Sequence, residues 1–266
     1  MERADAGAMR MKSFASRTAA LLVVSVLLLV QAVAADDITV MTSGAFTAAY
    51  LELLPQFERI ANEKLVTAAT TMGTGAAFIP SRLQRGETAD VVIVADDSLR
   101  QMIKDGLVLA DSGVELARSN IGMAVRAGAP KPDISSVAAF RATLLQAKSI
   151  AYSASVSGVY LTTELFQRLG IAEQVLPKSR RIDTERVGAV VARGEAEIGF
   201  QQIAELLPVP GIDVVGPLPP GVQKTTVFSA GIVAKSQHVN AARALIKFLS
   251  SSAAAAAIVK SGMEPM

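Results

Sequence analysis

From residue 38 onward the spacing of apolar positions switches repeatedly between two periods, and each switch marks a strand followed by a helix. Ile38, Thr39, Val40 and Met41 form a β-rich run that ends in Thr42-Ser43-Gly44-Ala45. Leu51, Leu54, Phe57, Ile60 and Ala61 then recur at helical spacing. Residues 65–71 predict a second strand, Gly73-Thr74-Gly75-Ala76-Ala77 a glycine turn, and residues 78–85 a second helix. The stretch 89–95 is apolar almost throughout, as in a parallel strand buried on both faces.

The pattern then starts again. Residues 120–125 predict a strand, 137–147 a helix, 149–152 a strand, and 159–169 a helix closed by Gly170. Ser153-Ala154-Ser155-Val156-Ser157-Gly158 is a small-residue loop ahead of that last helix. A helix over 185–193, a strand over 196–200, a proline-rich segment over 207–222, a strand over 227–234 and a long helix over 241–260 complete the order. Strands alternating with helices imply an α/β fold with mostly parallel sheets. Two such units with a late strand and helix left over predict a chain that leaves its first lobe and later returns. With crossings near residues 118–120 and 216–224, lobe I comprises 36–118 and 217–266, and lobe II comprises 119–216.

The N-terminal segment has a different character. Arg10, Lys12 and Arg17 precede an uncharged apolar run, 19–30, which ends in Gln31-Ala32-Val33-Ala34-Ala35-Asp36-Asp37. That is the layout of a secretory signal peptide, and its apolar run is shorter than the roughly 20 residues a membrane-spanning helix needs. Residues 1–35 are therefore expected to be cleaved, with Met9 or Met11 where such a peptide normally begins, and the mature protein is expected in the periplasm without a membrane anchor. The absence of cysteine excludes lipid anchoring, disulfides, thiolate metal sites and cysteine nucleophiles. Lysine and arginine are scattered rather than striped, which argues against nucleic-acid binding.

Three loops share one grammar: a strand ends, small hydroxyl or glycine residues follow, and a helix begins. They are Thr42-Ser43-Gly44-Ala45, Gly73-Thr74-Gly75-Ala76 and 153–158. Any one of them is explained by ordinary helix capping. Three together, drawn from both units, predict a binding site, because helix N-termini offer unpaired N–H groups and a positive dipole end to an anion.

The runs 38–50, 72–83 and Gly86-Glu87-Thr88-Ala89-Asp90-Val91-Val92-Ile93 resemble the periplasmic molybdate-binding proteins of ABC importers. So do Ser157-Gly158 with the helix after it, Arg193-Gly194-Glu195-Ala196-Glu197-Ile198-Gly199, and Ser261-Gly262-Met263-Glu264-Pro265. The resemblance covers nearly the whole mature chain and implies the type II solute-binding fold, two α/β lobes closing over a small anion. A permease partner and a monomeric state are further expectations. Ser43, Gly44, Ala45, Thr74, Gly75, Ala76, Ser155, Ser157, Gly158 and Thr184 are the ligand-binding candidates in the loops.

The departures from that family bear on the ligand. Molybdate binders present serine hydroxyls at the positions of Ala45 and Ala76, and a tyrosine near the hinge is replaced within Gln201-Gln202. An anion oxygen left without its donor costs about 1–3 kcal/mol, so an organic di- or tricarboxylate is expected in preference to molybdate. Arg118, at the first crossing, is the candidate for bidentate carboxylate binding. Gln201 and Gln202 are expected to reach the cleft, and Arg82 and Arg186 to assist.

The same family includes isomerases of the aconitate type, whose 1,3-proton shift needs a base and donors for the carboxylate. No proton-transfer group stands out. His238 reads as a surface residue, and Asp183, Glu185 and Tyr160 have ordinary structural roles available. No cofactor or metal is expected. A transport receptor for an organic anion is the leading expectation, an aconitate-type isomerase the alternative, and a molybdate or tungstate binder the third.

Overall fold

The computed structural model describes residues 37–68 and 75–266. The expected leader and Thr74 lie outside the described residues.

Strand β1 (Ile38–Thr42) runs through Ser43 into helix α1 (Gly44–Ala61), and β2 (Leu65–Ala68) follows. Helix α2 (Ile79–Gln84), strand β3 (Val91–Ala95), helix α3 (Asp96–Lys104) and strand β4 (Val114–Ser119) complete the first passage. Strand β5 (Ile121–Arg126), helix α4 (Val137–Gln146) and strand β6 (Ile150–Ser153) open the second unit. Helix α5 (Val156–Tyr160) continues through a π-helical turn (Leu161–Leu165) and a last turn (Phe166–Arg168). Then come helix α6 (Ala172–Val175), strand β7 (Ser179–Ile182), helix α7 (Val187–Ala192), strand β8 (Ile198–Gln202), helix α8 (Ile203–Leu206) and strand β9 (Ile212–Pro217). The chain returns in β10 (Thr226–Ile232), α9 (Val239–Leu249), α10 (Ala255–Lys260) and the short β11 (Glu264–Pro265).

These strands make two sheets, ordered β11-β4-β10-β3-β1-β2 and β7-β6-β8-β5-β9. Both are mixed. The pairs β1–β2, β1–β3, β6–β7 and β6–β8, built by helical crossovers, are parallel. The strands that enter or leave across the crossings, β4, β5, β9 and β10, pair antiparallel.

Each sheet is covered on both faces. In β3, Val91, Ile93 and Ala95 join a core with Phe46, Tyr50 and Leu53 of α1, while Val92 and Val94 join Leu99 and Met102 of α3 on the other face. That double burial is why 91–95 reads as an unbroken apolar run. In the second sheet, Phe140, Phe166 and Phe200 fill one face, and Val187, Val190 and Val191 of α7 fill the other.

Two predicted helices differ in detail. The helix expected over 241–260 breaks into α9 and α10, bent by 61°. At the break the hydroxyls of Ser250 and Ser251 donate to Lys247 O (3.2 Å) and Phe248 O (2.7 Å), in competition with the backbone ladder. The π-helical turn after α5 is similarly marked by Thr162 and Thr163, which donate to Gly158 O and Val159 O at 2.9 and 2.8 Å.

Candidate functional site

A cavity of about 140 Å³ lies between the two sheets. Its walls are mainly apolar, with Phe78, Ile79, Val94 and Phe228 from the first unit and Ala154 and Val156 from the second. The polar groups that converge on it are Ser43 with the α1 N-terminus, Ser98, Ser155, Gln202 and Glu205.

Ser43 is the N-cap of the 18-residue α1, yet its side chain makes no capping bond, and its Oγ is buried without a hydrogen-bond partner. Its backbone is well fixed: Ser43 N–H donates to Ile93 O (2.7 Å), and Thr47 Oγ1 donates to Ser43 O (2.9 Å). Ser43 lines the cavity together with Gly44 and Ala45, whose N–H groups open α1 without an intrahelical partner.

On the opposite wall Ser155 is the N-cap of α5 and also lacks a capping bond. Its hydroxyl lies 2.7 Å from Ser153 Oγ and 3.4 Å from Ser157 Oγ, and those two are 2.9 Å apart. Ser157 and Gly158 are buried beneath this cluster and do not line the cavity. A Cβ at Gly158 would lie 1.7 Å from Ser153 O, so glycine lets α5 pack against the end of β6.

The end of β8 supplies the remaining groups. Gln202 is 1% exposed, donates from Nε2 to Thr226 Oγ1 (3.1 Å), and leaves Oε1 without a partner. Gln201 is fully buried, and its Oε1 accepts the Val187 N–H at 2.9 Å. Glu205 follows at the third position of α8. Burial pushes its carboxyl up to about 7, against the opposing pull of the Arg186 charge and of the polar groups of Gln201 and Gln202 beside it.

The structure thus brings together Ser43, Gly44, Ala45, Ser155 and Gln202 of the predicted residues, with Gln201 directly behind them. It does not bring Arg118 there: on β4 its side chain is exposed and faces away from the buried Ala117 and Ser119 on either side. Gly75 and Ala76 are exposed, and Ala76 O accepts from the Arg85 guanidinium. Thr184 is exposed in the β7–α7 loop. Arg82 is ion-paired with Glu87 and holds that carboxyl below its usual range. Arg186, the N-cap of α7, has no ion pair among the described residues, and its charge reaches Glu205.

Asp183 and Glu185 pair with Arg181 and Arg193, each at 2.8 Å. Tyr160 OH donates to Val222 O at 2.8 Å. His238 precedes α9 and does not line the cavity. Ser98 and Glu205 are the polar groups of the cavity that sequence reasoning missed; for Glu205 a local signal existed. The available signal was its spacing, a carboxyl three residues after the last residue of a strand. Among the described residues no cluster of three or more His, Asp or Glu could hold a metal ion.

Two mixed α/β sheets with a polar-edged cavity between them make the two-lobed fold of the periplasmic binding proteins. The chain belongs to the bacterial extracellular solute-binding proteins, whose family model matches residues 38–264. It is 49% identical over 230 residues to an aconitate isomerase from Pseudomonas sp., covering 86% of this chain and 88% of that one. Its fold is that of the periplasmic molybdate-binding protein of Azotobacter vinelandii, with a TM-score of 0.69 at 18% identity, covering 85% and 98% of the two chains. The substrate-binding domain of a putative molybdenum ABC transporter from Clostridium difficile matches with a TM-score of 0.64 at 17% identity, over 86% and 99%.

Proposed function

We propose that this protein isomerises a small unsaturated tricarboxylate of the aconitate type in the periplasm, after removal of its leader. The observation that carries the reading is the buried carboxyl of Glu205 in the wall of a cavity that otherwise offers donors to an anion. A receptor for a fully charged oxyanion gains nothing from an ionisable carboxyl facing its ligand, since like charges in a low-dielectric cavity repel strongly. An enzyme that moves a proton next to a carboxylate needs both features at once. The 49% identity to an aconitate isomerase across nearly the whole mature chain supports the same reading. Ser43, the α1 N-terminus and Gln202 would hold the carboxylates, and the apolar walls would exclude water.

Transport is the second reading, favoured by the family itself, which is one of extracellular solute-binding proteins. Incubating the mature protein with trans-aconitate and separating the products by chromatography decides between them. Appearance of cis-aconitate is expected. Saturable binding of trans-aconitate with no isomer formed would establish a receptor instead, and a melting temperature that responds to molybdate alone would remove both carboxylate readings.

A further inference from the structure

Building on the isomerase reading, we infer that Glu205 is the catalytic residue that carries the proton between the two substrate carbons. Glu205 is the only titratable side chain among the described residues lining the cavity. It is 3% exposed, so what exposure it has is toward that space. On the protein side its polar neighbours are Gln201, the backbone of Gln202 and the charge of Arg186. Gln201 is itself held in place by the Val187 N–H on its Oε1 (2.9 Å).

The step balances without any co-reactant. The Glu205 carboxylate takes a proton from the substrate methylene, and the C–H electron pair moves into the allylic system as the double bond shifts. The Glu205 carboxylic acid then returns the proton to the former vinylic carbon. One C–H bond breaks and one forms, and nothing is oxidised or reduced. A carboxyl titrating at about 7 suits both halves of this cycle, since neither protonation state is hard to reach at neutral pH. Among the described residues, Arg186 at the start of α7 is the charged group whose field acts on it.

A carboxyl with no chemical role would fill the same place, so the test must keep the shape of the side chain. Glutamine at this position keeps that shape and an acceptor oxygen but cannot ionise. In Glu205→Gln, conversion of trans- to cis-aconitate should fall by about 100-fold or more. Thermal-shift titration with tricarballylate, the saturated analogue, should show affinity within about threefold of wild type. For wild type, kcat/KM should fall about tenfold per pH unit below about 7, because the base must be unprotonated in the free enzyme.

Turnover by Glu205→Gln within tenfold of wild type would overturn the inference and leave the isomerase reading standing. So would loss of tricarballylate binding in parallel with turnover, which would make Glu205 a structural residue. Absence of isomerisation by wild type would remove the isomerase reading, and this inference with it.

Discussion

The loops after β1 and after β6 look alike in sequence, each a strand end, a few small hydroxyl residues and a helix start, yet they stand in opposite states. After β1 the N-cap hydroxyl of Ser43 is buried and unpartnered at the head of an 18-residue helix. After β6 the three hydroxyls of Ser153, Ser155 and Ser157 satisfy one another, and the five-residue α5 passes at once into a π-helical turn. One loop has been left incomplete at its edge, and a ligand would complete it. The other is complete by itself and shapes the opposite wall. A shared grammar of serine and glycine therefore marks where a site can be, while hydrogen-bond satisfaction separates the loop with spare donors from the one without.

The sharpest way to break this comparison is at Gly158. A Cβ there would collide with a backbone carbonyl rather than with a movable side chain, so Gly158→Ala must displace α5 from β6. Overpacking of this kind costs about 3 kcal/mol. At about 2–4 °C per kcal/mol for a chain of this size, the melting temperature should drop by roughly 6–12 °C. A variant melting within 2 °C of wild type would mean that glycine at 158 serves the ligand rather than the packing.

The contrast between the loops also sets how much was legible beforehand. The buried parallel strands announced themselves, because β3 is covered on both faces and leaves no polar gap in residues 91–95. Helix α3 escaped notice: it begins directly at the end of β3 with Asp96 and Asp97, and only Leu99 and Met102 of its nine residues are buried. Strand β9 (Ile212–Pro217) was hidden in the proline-rich segment, where all of its residues but the exposed Pro217 are half-buried at a sheet edge and carry no strong period. In the site, the serine and glutamine positions were readable because strand ends and helix starts are local signals. Glu205 was not, since its significance comes from burial and from Gln201, Gln202 and Arg186 around it, and only the tertiary fold supplies those.

A pair of serine variants sharpens the comparison at smaller amplitude. Replacing an N-cap serine by alanine ordinarily costs about 1 kcal/mol, but Ser43 makes no capping bond to lose. Ser43→Ala should leave the melting temperature within about 1 °C and weaken tricarboxylate binding by about 1 kcal/mol, or roughly fivefold. Ser157→Ala should do the reverse. It removes a buried hydroxyl bonded to Ser153 at 2.9 Å, costing about 1 kcal/mol of stability with affinity unchanged. Parallel thermal melts and ligand titrations of the two variants would show the crossed pattern. Equal losses of stability in both would mean that Ser43 Oγ has a structural partner after all.

The smallest expected effect is at Arg118, and the reason is a matter of parity. Its place at the crossing made it an attractive clamp for a carboxylate, and Ser119 beside it is buried with an unpartnered hydroxyl. Along a strand, however, neighbouring side chains point to opposite faces, so a shift of one residue decides which of them looks inward. Here β4 pairs Ala117 with Phe228, Arg118 with Val227 and Ser119 with Thr226. Phe228 lines the cavity, and Thr226 accepts the Gln202 amide beside it. Cross-strand partners share a face, so Ala117 and Ser119 stand on the cavity side, and Arg118 projects with Val227 from the other. Arg118→Ala should therefore change stability by no more than about 0.5 kcal/mol and leave affinity for trans-aconitate or tricarballylate within twofold of wild type. Isothermal titration of the variant checks this directly. A loss of tenfold or more would put the guanidinium on the ligand, which the register of β4 forbids unless the strand itself moves when ligand binds.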